Sequence, residues 1–289
     1  MRWQGGRESD NVEDARAVSP QQMMVGGGLG TVVILILGLF FGADPAQLMR
    51  IVQQAQVAQP ANPGAGGREQ PLSPEEQEIG KFVKVVLADT EDVWTTIFAG
   101  MGKQYVNPKL RLFSGSTDSQ CGRANAAVGP FYCPADQKVY LDTAFFKELS
   151  DRFGAPGEFA RAYVIAHEIG HHVQKQLGIS DKVDAMRSRV SKTEYNQLLV
   201  RLELQADFYA GVWAHHANKA RSILESGDVE AALNAASKIG DDALQKAAQG
   251  YDVPDSFTHG TSAQRMRWFR KGLETGDYRQ GDTFNAREL

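Results

Sequence analysis

The chain has 289 residues, of which 42% are hydrophobic and 23% charged, a balance that excludes an intrinsically disordered protein and allows one large domain or two small ones. A net charge of −4 excludes a broad basic footprint, so nucleic acid is not an expected partner. The short basic cluster Arg265, Arg267, Arg270 and Lys271 reads as one solvated helix face.

Residues 1–22 form a polar N-terminal segment. No charge occurs between Ala17 and Ala43, and "VGGGLGTVVILILGLFFG" (Val25–Gly42) is apolar throughout. With Met23 and Met24 the run reaches about 20 residues, the length a helix needs to cross a bilayer. A glycine triplet would weaken a helix buried in water-soluble protein. A cleaved signal peptide would begin with a short basic leader, whereas four acidic residues precede this run. The pattern therefore predicts a retained single-pass transmembrane helix over 23–42. Arg2, Arg7 and Arg16 precede it and only Arg50 follows closely. The positive-inside rule then places residues 1–22 in the cytoplasm and the rest of the chain beyond the bacterial cytoplasmic membrane, in a periplasmic or extracellular space.

Residues 43–71 are rich in Gln, Ala, Pro and Gly and read as a flexible linker. At "SPEEQEIGKFV" the composition changes. Ser73 and Glu76 make a capping box, with Pro74 at the first helical position. Ile79, Phe82, Val83, Val86 and Leu87 give one amphipathic helix; Val93, Trp94, Ile97, Phe98 and Met101 give a second. The soluble domain is expected over 72–289. "LRLFSGS" and "QKVYLDTAFF" read as short strands, and from Pro156 onward the pattern is helical. A few strands followed by many helices predict an α+β domain with one small sheet. Cys121 and Cys133 bracket a Gly- and Pro-containing loop, and outside the cytoplasm they are expected to form a disulfide.

"AYVIAHEIGHHVQKQLG" (Ala162–Gly178) is apolar yet carries His167, Glu168, His171 and His172. Burying these without partners would cost several kcal/mol. His167 and His171 lie four positions apart, on one helix face, so both imidazoles can reach one cation. Glu168 then projects beside the open coordination position, where it can act on a bound water. His172 is turned about 100° away and is not an expected ligand. Gly170 permits a close neighbour, and Gly178 ends the helix.

A catalytic zinc site uses three protein ligands and one open position. A third histidine in an extended H-E-x-x-H-x-x-G-x-x-H motif is absent, since positions 174 and 177 are Gln174 and Leu177. The following helix, capped by Ser191 and Glu194, supplies the alternative. Its largely apolar side carries Glu203 and Asp207 one turn apart. Glu203 is assigned as the third metal ligand and Asp207 as the group holding a histidine by its second nitrogen. His215 and His216 are expected near this helix's end, where positive charge is favoured.

"HEIGHH" followed by "ELQAD" resembles the glutamate-zinc metallopeptidases, which combine H-E-x-x-H with a downstream E-x-x-x-D. The opening "MRWQGGRESDNVEDAR", the apolar span, "GPFYCPADQKVYLD", "AHEIGHHVQ" and "LELQADFYAGVWA" are together similar to a bacterial family of neutral zinc metallopeptidases. The resemblance covers nearly the whole chain except the linker and implies a zincin-like fold. "THGTSAQR" also resembles a T-H-P-x-x-x-x-R element of membrane prenyl-protein peptidases, with Gly260 in place of the proline. That likeness gives Arg265 a supporting place behind the ligands and His259 a hydrogen bond to the developing oxyanion.

The combined reading is a membrane-anchored zinc endopeptidase acting on protein or peptide substrates. Zn2+ is held by His167, His171 and Glu203, and Glu168 is the general base toward a zinc-bound water. An extended substrate is expected to pair with an exposed strand, "KVYLD". The rival reading is a catalytically silent, membrane-anchored zinc-binding interaction protein, against which the presence of Glu168 argues. A metal hydrolase acting on something other than peptides is the third.

Overall fold

Helix α1 (Pro74–Gly100) starts with its own cap: Ser73 Oγ accepts from the Glu76 amide at 3.2 Å, and Glu76 Oε2 accepts from the Ser73 amide at 2.7 Å. The structure, a computed structural model, describes residues 1–16, 71–125 and 129–289. The two helices expected here are one. The polar stretch between them, Asp89–Glu91, does not break the helix because each side chain is buried and partnered. Asp89 pairs with the Arg221 guanidinium, and the Thr90 hydroxyl donates to the Leu87 carbonyl at 2.7 Å. Glu91 accepts from Arg7 Nη2 at 3.0 Å, Ser9 Oγ at 2.6 Å and Asn11 Nδ2 at 2.7 Å.

Those last three donors bring a correction. The N-terminal residues are part of the folded body, with Met1 and Trp3 in its core and strand β1 (Val12–Asp14) in its sheet. β1 lies parallel to β2 (Lys109–Phe113), with Val12 opposite Leu110. Arg16 ends the segment by donating from Nη1 to the Glu76 carbonyl at 2.5 Å, at the start of α1. Residues 1–16 and the helical body therefore share one side of any membrane. The expected placement of residues 1–22 across the bilayer from the catalytic domain, and a soluble domain beginning only at 72, do not fit this packing. Among the described residues no helix is long and apolar enough to cross a membrane. The expected span at 23–42 lies outside the described residues, as does nearly all of the 43–71 linker.

After the hairpin β3 (Ser116–Ser119) and β4 (Gly122–Asn125), strand β5 (Phe131–Cys133) runs antiparallel to β6 (Lys138–Asp142). β6 pairs parallel with β2, so the main sheet has the order β1-β2-β6-β5. Cys121 and Cys133 form the expected disulfide, tying the hairpin to the end of β5.

The rest of the chain is helical: α2 (Ala144–Asp151), α3 (Glu158–Gln176), α4 (Ile179–Asp184), α5 (Lys192–Arg221), α6 (Asp228–Lys238), α7 (Asp241–Gln249) and α8 (Ser262–Thr275). The class is thus α+β, mostly helical, as expected. Trp94 from α1, Phe159 from α3 and Trp213 from α5 lie fully buried where these helices meet. Two close approaches set the helix spacing around the site. A Cβ on Gly170 would lie 2.9 Å from the Ala206 carbonyl oxygen, so α3 and α5 touch backbone to backbone there. Where α5 meets α8, a Cβ on Gly211 would lie 2.1 Å from the Phe269 carbonyl oxygen.

Candidate active site

The contact between α3 and α5 at Gly170 brings Glu203 over the two histidines. His167 and His171 stand one turn apart with ring centroids separated by 4.9 Å. Glu203 Oε2 lies 3.1 Å from His167 Nε2 and 3.4 Å from His171 Nε2. One ligand atom from each of the three residues falls within 4.8 Å of the other two.

The other nitrogen of each ring is already occupied. His167 Nδ1 faces Asp207 Oδ1 at 2.8 Å, and His171 Nδ1 faces Gln174 Oε1 at 2.9 Å. Gln174 has a fixed orientation, because its amide nitrogen donates to the Leu202 carbonyl at 2.6 Å and to Gln205 Oε1 at 3.1 Å. Both acceptors can only receive, so each Nδ1 carries a proton and each Nε2 faces Glu203, where a proton or a metal cation must lie between them. Three electron-pair donors aimed at one point repel unless a cation lies among them. Two imidazoles and a carboxylate are a donor set for zinc.

The electrostatics show the same demand for positive charge. Desolvation works to lower the His167 imidazole, but Asp207 and Glu203 outweigh it and hold it at about 10. Burial works to raise Glu203, yet His171 and His259 hold it well below the usual carboxylate range.

Behind His167 lies a closed polar cluster. Asp207 is 0% exposed and accepts from Tyr163 Oη at 2.5 Å and from Arg265 Nε and Nη2 at 2.8 and 3.0 Å. Arg265 is 2% exposed, which corrects its placement on a solvated helix face. Arg267 and Arg270 of the same cluster are exposed. One helix thus carries a buried guanidinium among surface ones, and the difference is the Asp207 carboxylate opposite.

Glu168, 7% exposed, lines the same cleft and has no hydrogen-bond partner among the described residues. His259 also lines it, on the loop before α8, with its side chain half exposed. Its Nδ1 faces Thr258 Oγ1 at 3.0 Å and Asp241 Oδ1 at 3.4 Å, which leaves Nε2 for a ligand. Desolvation works to lower this imidazole too, but Glu203 and Asp241 raise it above its ordinary value. The loop is held by one carboxylate oxygen: Asp241 Oδ2 accepts from the amides of Thr258, His259 and Gly260 at 2.7, 2.6 and 3.0 Å.

Tyr163, Gln174 and Asp241 were not singled out as site residues from the sequence. Gln174 had a signal, a polar side chain one turn from His171 on a helix buried nearly all round. Asp241 had none, because its partners, Thr258, His259 and Gly260, lie past α7 in the loop before α8. His172 is not among the clustered ligands; burial lowers it to about 4, so it is neutral. His215 and His216 lie in the last two turns of α5, and their partners are the Leu273 and Gly276 carbonyls at the end of α8. They cap another helix's C-terminus rather than their own.

The cleft encloses about 460 Å³. Pro130, Phe131, Tyr132, Val164, Ile239 and Leu244 line it together with the histidines. The expected substrate strand "KVYLD" is corrected here. It is β6, buried between β2 and β5. Among the described residues, the strand at the cleft with an unpaired edge is β5.

Over residues 1–284 the chain matches the family described as "Putative neutral zinc metallopeptidase". It is 48% identical to "Uncharacterized protein YpfJ" of Escherichia coli (strain K12), covering 98% of this chain and 99% of that protein. It is 40% identical to "Uncharacterized protein Rv2575" of Mycobacterium tuberculosis (strain H37Rv), covering 73% of this chain and 74% of that protein. No solved structure matches the chain. A family match from end to end, on a fold that gathers His167, His171 and Glu203 at one point, makes this chain a member of the putative neutral zinc metallopeptidase family.

Proposed function

We propose that the protein is a zinc-dependent endopeptidase that cleaves extended polypeptide segments. The observation that carries this reading is the convergence of two imidazole Nε2 atoms and one carboxylate oxygen beside an unpartnered Glu168 in an open cleft. A zinc held only for structure needs neither the cleft nor the base. When bound, zinc supplies a Lewis acid toward the scissile carbonyl and lowers the pKa of water to about 7.

The chain's own groups do the rest. Glu168 takes a proton from the attacking water as the new C–O bond forms, then passes it to the amine nitrogen as the C–N bond breaks. His259 donates from Nε2 to the carbonyl oxygen as negative charge collects there. Asp207 and Gln174 hold the two imidazoles in the tautomer that presents Nε2, and Arg265 keeps Asp207 ionised. An extended substrate lies along the free edge of β5, adding a strand antiparallel or parallel to it.

The disulfide supports a place outside the reducing cytoplasm. The apolar run Val25–Gly42 supports attachment to the bacterial cytoplasmic membrane, with residues 1–16 on the same side as the catalytic body.

The test is cleavage of an unfolded protein such as reduced casein by the purified chain. Cleavage should stop with a chelator and return when zinc is restored. Cleavage that survives complete metal removal would overturn the reading.

A further inference from the structure

The third histidine of "HEIGHH" has no place among the metal ligands, yet it is 1% exposed and fully engaged. Its Nε2 lies 2.7 Å from the Val106 carbonyl oxygen. Nε2 also lies 2.7 Å from the Gln176 amide nitrogen, so it meets both an acceptor and a donor, and Nδ1 can pair with a hydroxyl in either tautomer. The group facing Nδ1, at 3.0 Å, is the hydroxyl of Tyr132. The imidazole is also wedged between two aromatic rings, with centroids 5.7 Å from Tyr105 and 5.4 Å from Tyr132, both edge to face. Gln176 fixes the far side by clasping Val106 at both its amide, 2.9 Å, and its carbonyl, 3.0 Å.

Tyr132 is the middle residue of β5, the edge strand that lines the cleft. That strand is three residues long and, among the described residues, is paired on one side only, to β6. So short a strand has little rigidity of its own. The disulfide secures its end at Cys133, and the Tyr132 hydroxyl secures its middle to α3. The attachment point on α3 is the residue next to His171.

We propose that His172 and Tyr132 are positioning residues for the substrate: their hydrogen bond sets the spacing between the strand that receives the peptide and the helix that carries His167, Glu168 and His171. This rests on the endopeptidase reading above. Burial pushes the Tyr132 phenol up, so it stays protonated and able to donate across the physiological range. The spacing matters because hydrolysis needs the scissile carbonyl within bond-forming reach of the attacking water, and a shift of about 1 Å can cost about 10²-fold in rate.

The gentle variant is Tyr132→Phe, which removes one hydroxyl and keeps the ring. Zinc content should match the wild type. Against a long peptide that runs the length of β5, kcat/KM should fall about 5-fold for the lost bond alone, and toward about 10²-fold if the strand moves. A blocked dipeptide, which does not reach along the strand, should lose less than the long peptide does. His172→Asn retains an acceptor opposite the hydroxyl and should recover part of what His172→Phe loses. An equal loss on long and short substrates, or no loss on either, would overturn the proposal. A second measurement does not depend on activity. Amide exchange in β5 should speed up in Tyr132→Phe while exchange in α3 is unchanged. Wild-type exchange in β5 would overturn the coupling even if no peptide were cleaved, whereas faster β5 exchange with no cleavage of any peptide would sink the endopeptidase reading alone.

Discussion

Replacing Asp207 with alanine should damage the fold as well as the metal site. The carboxylate is fully buried and receives His167, Tyr163 and both Nε and Nη2 of Arg265. Its removal strands a guanidinium that is itself 2% exposed and keeps only weaker neighbours, the Ile239 carbonyl at 3.1 Å and the Tyr163 hydroxyl at 3.3 Å. Breaking a buried ion pair by removing one partner costs about 3–5 kcal/mol. At about 2–4 °C per kcal/mol for a domain of this size class, Tm should fall by about 6–20 °C. The loss should persist in chelator, where zinc cannot contribute. Removing both charges, as Asp207→Ala with Arg265→Met, should recover much of it, because no charge is then left unpaired.

The same carboxylate sets an acid limit. Burial works to raise it, but Arg265 and His167 hold it at about 2 against an ordinary 3.8. A depressed pKa means its contribution is fully present above about pH 4 and is lost as pH falls through about 2. Thermal unfolding of the wild type, Asp207→Ala and the double variant, each with zinc and with chelator, separates the possibilities. A single variant within about 1 kcal/mol of wild type in chelator, or a double variant no better than the single, would refute the argument from an unpaired buried charge.

Three further outcomes are expected. Gly211→Ala should destabilise the protein by more than about 3 kcal/mol and reduce zinc retention, because a Cβ 2.1 Å from the Phe269 carbonyl oxygen forces apart the helices that carry Glu203 and Arg265; urea midpoints and metal analysis check this. Asp241→Ala should keep zinc but lower turnover to a degree similar to His259→Ala, since it frees the three amides that hold the His259 loop; full turnover in Asp241→Ala would remove that loop from the reaction. Cysteines introduced at Arg2 and Glu288, whose side chains are 65% and 84% exposed, should react with a membrane-impermeant maleimide from the same side in intact cells; labelling from opposite sides would show that residues 1–16 do not pack into the sheet in the cell.

What was legible in the sequence was local. The turn-spaced histidines, the E-x-x-x-D pair, the caps at Ser73 and Ser191 and the Cys121–Cys133 loop each express their chemistry within a few positions of one helix or turn. What was not legible depends on partners far along the chain. Asp89 and Glu91 look like a break in α1 until Arg221 and the N-terminal residues reach them. Arg265 is indistinguishable from its surface neighbours until Asp207 faces it. "KVYLD" has the alternation of a strand, but whether a strand lies at the edge or the interior is decided by its neighbours. Here the three residues of β5 take the edge and leave β6 inside. The N-terminal strand is too short and polar to declare itself, and its pairing with β2 spans the widest sequence separation in the sheet.

The central claim is that one site holds zinc and uses Glu168 as its base. The most direct measurement is hydrolysis of an unfolded protein by Glu168→Gln at verified zinc occupancy. The substitution keeps size and polarity but cannot accept a proton from water. Zinc content should stay at one per chain, as in the wild type, while turnover drops to near background; Glu203→Ala, in contrast, should lose the metal itself. Wild-type turnover by zinc-loaded Glu168→Gln would contradict the account.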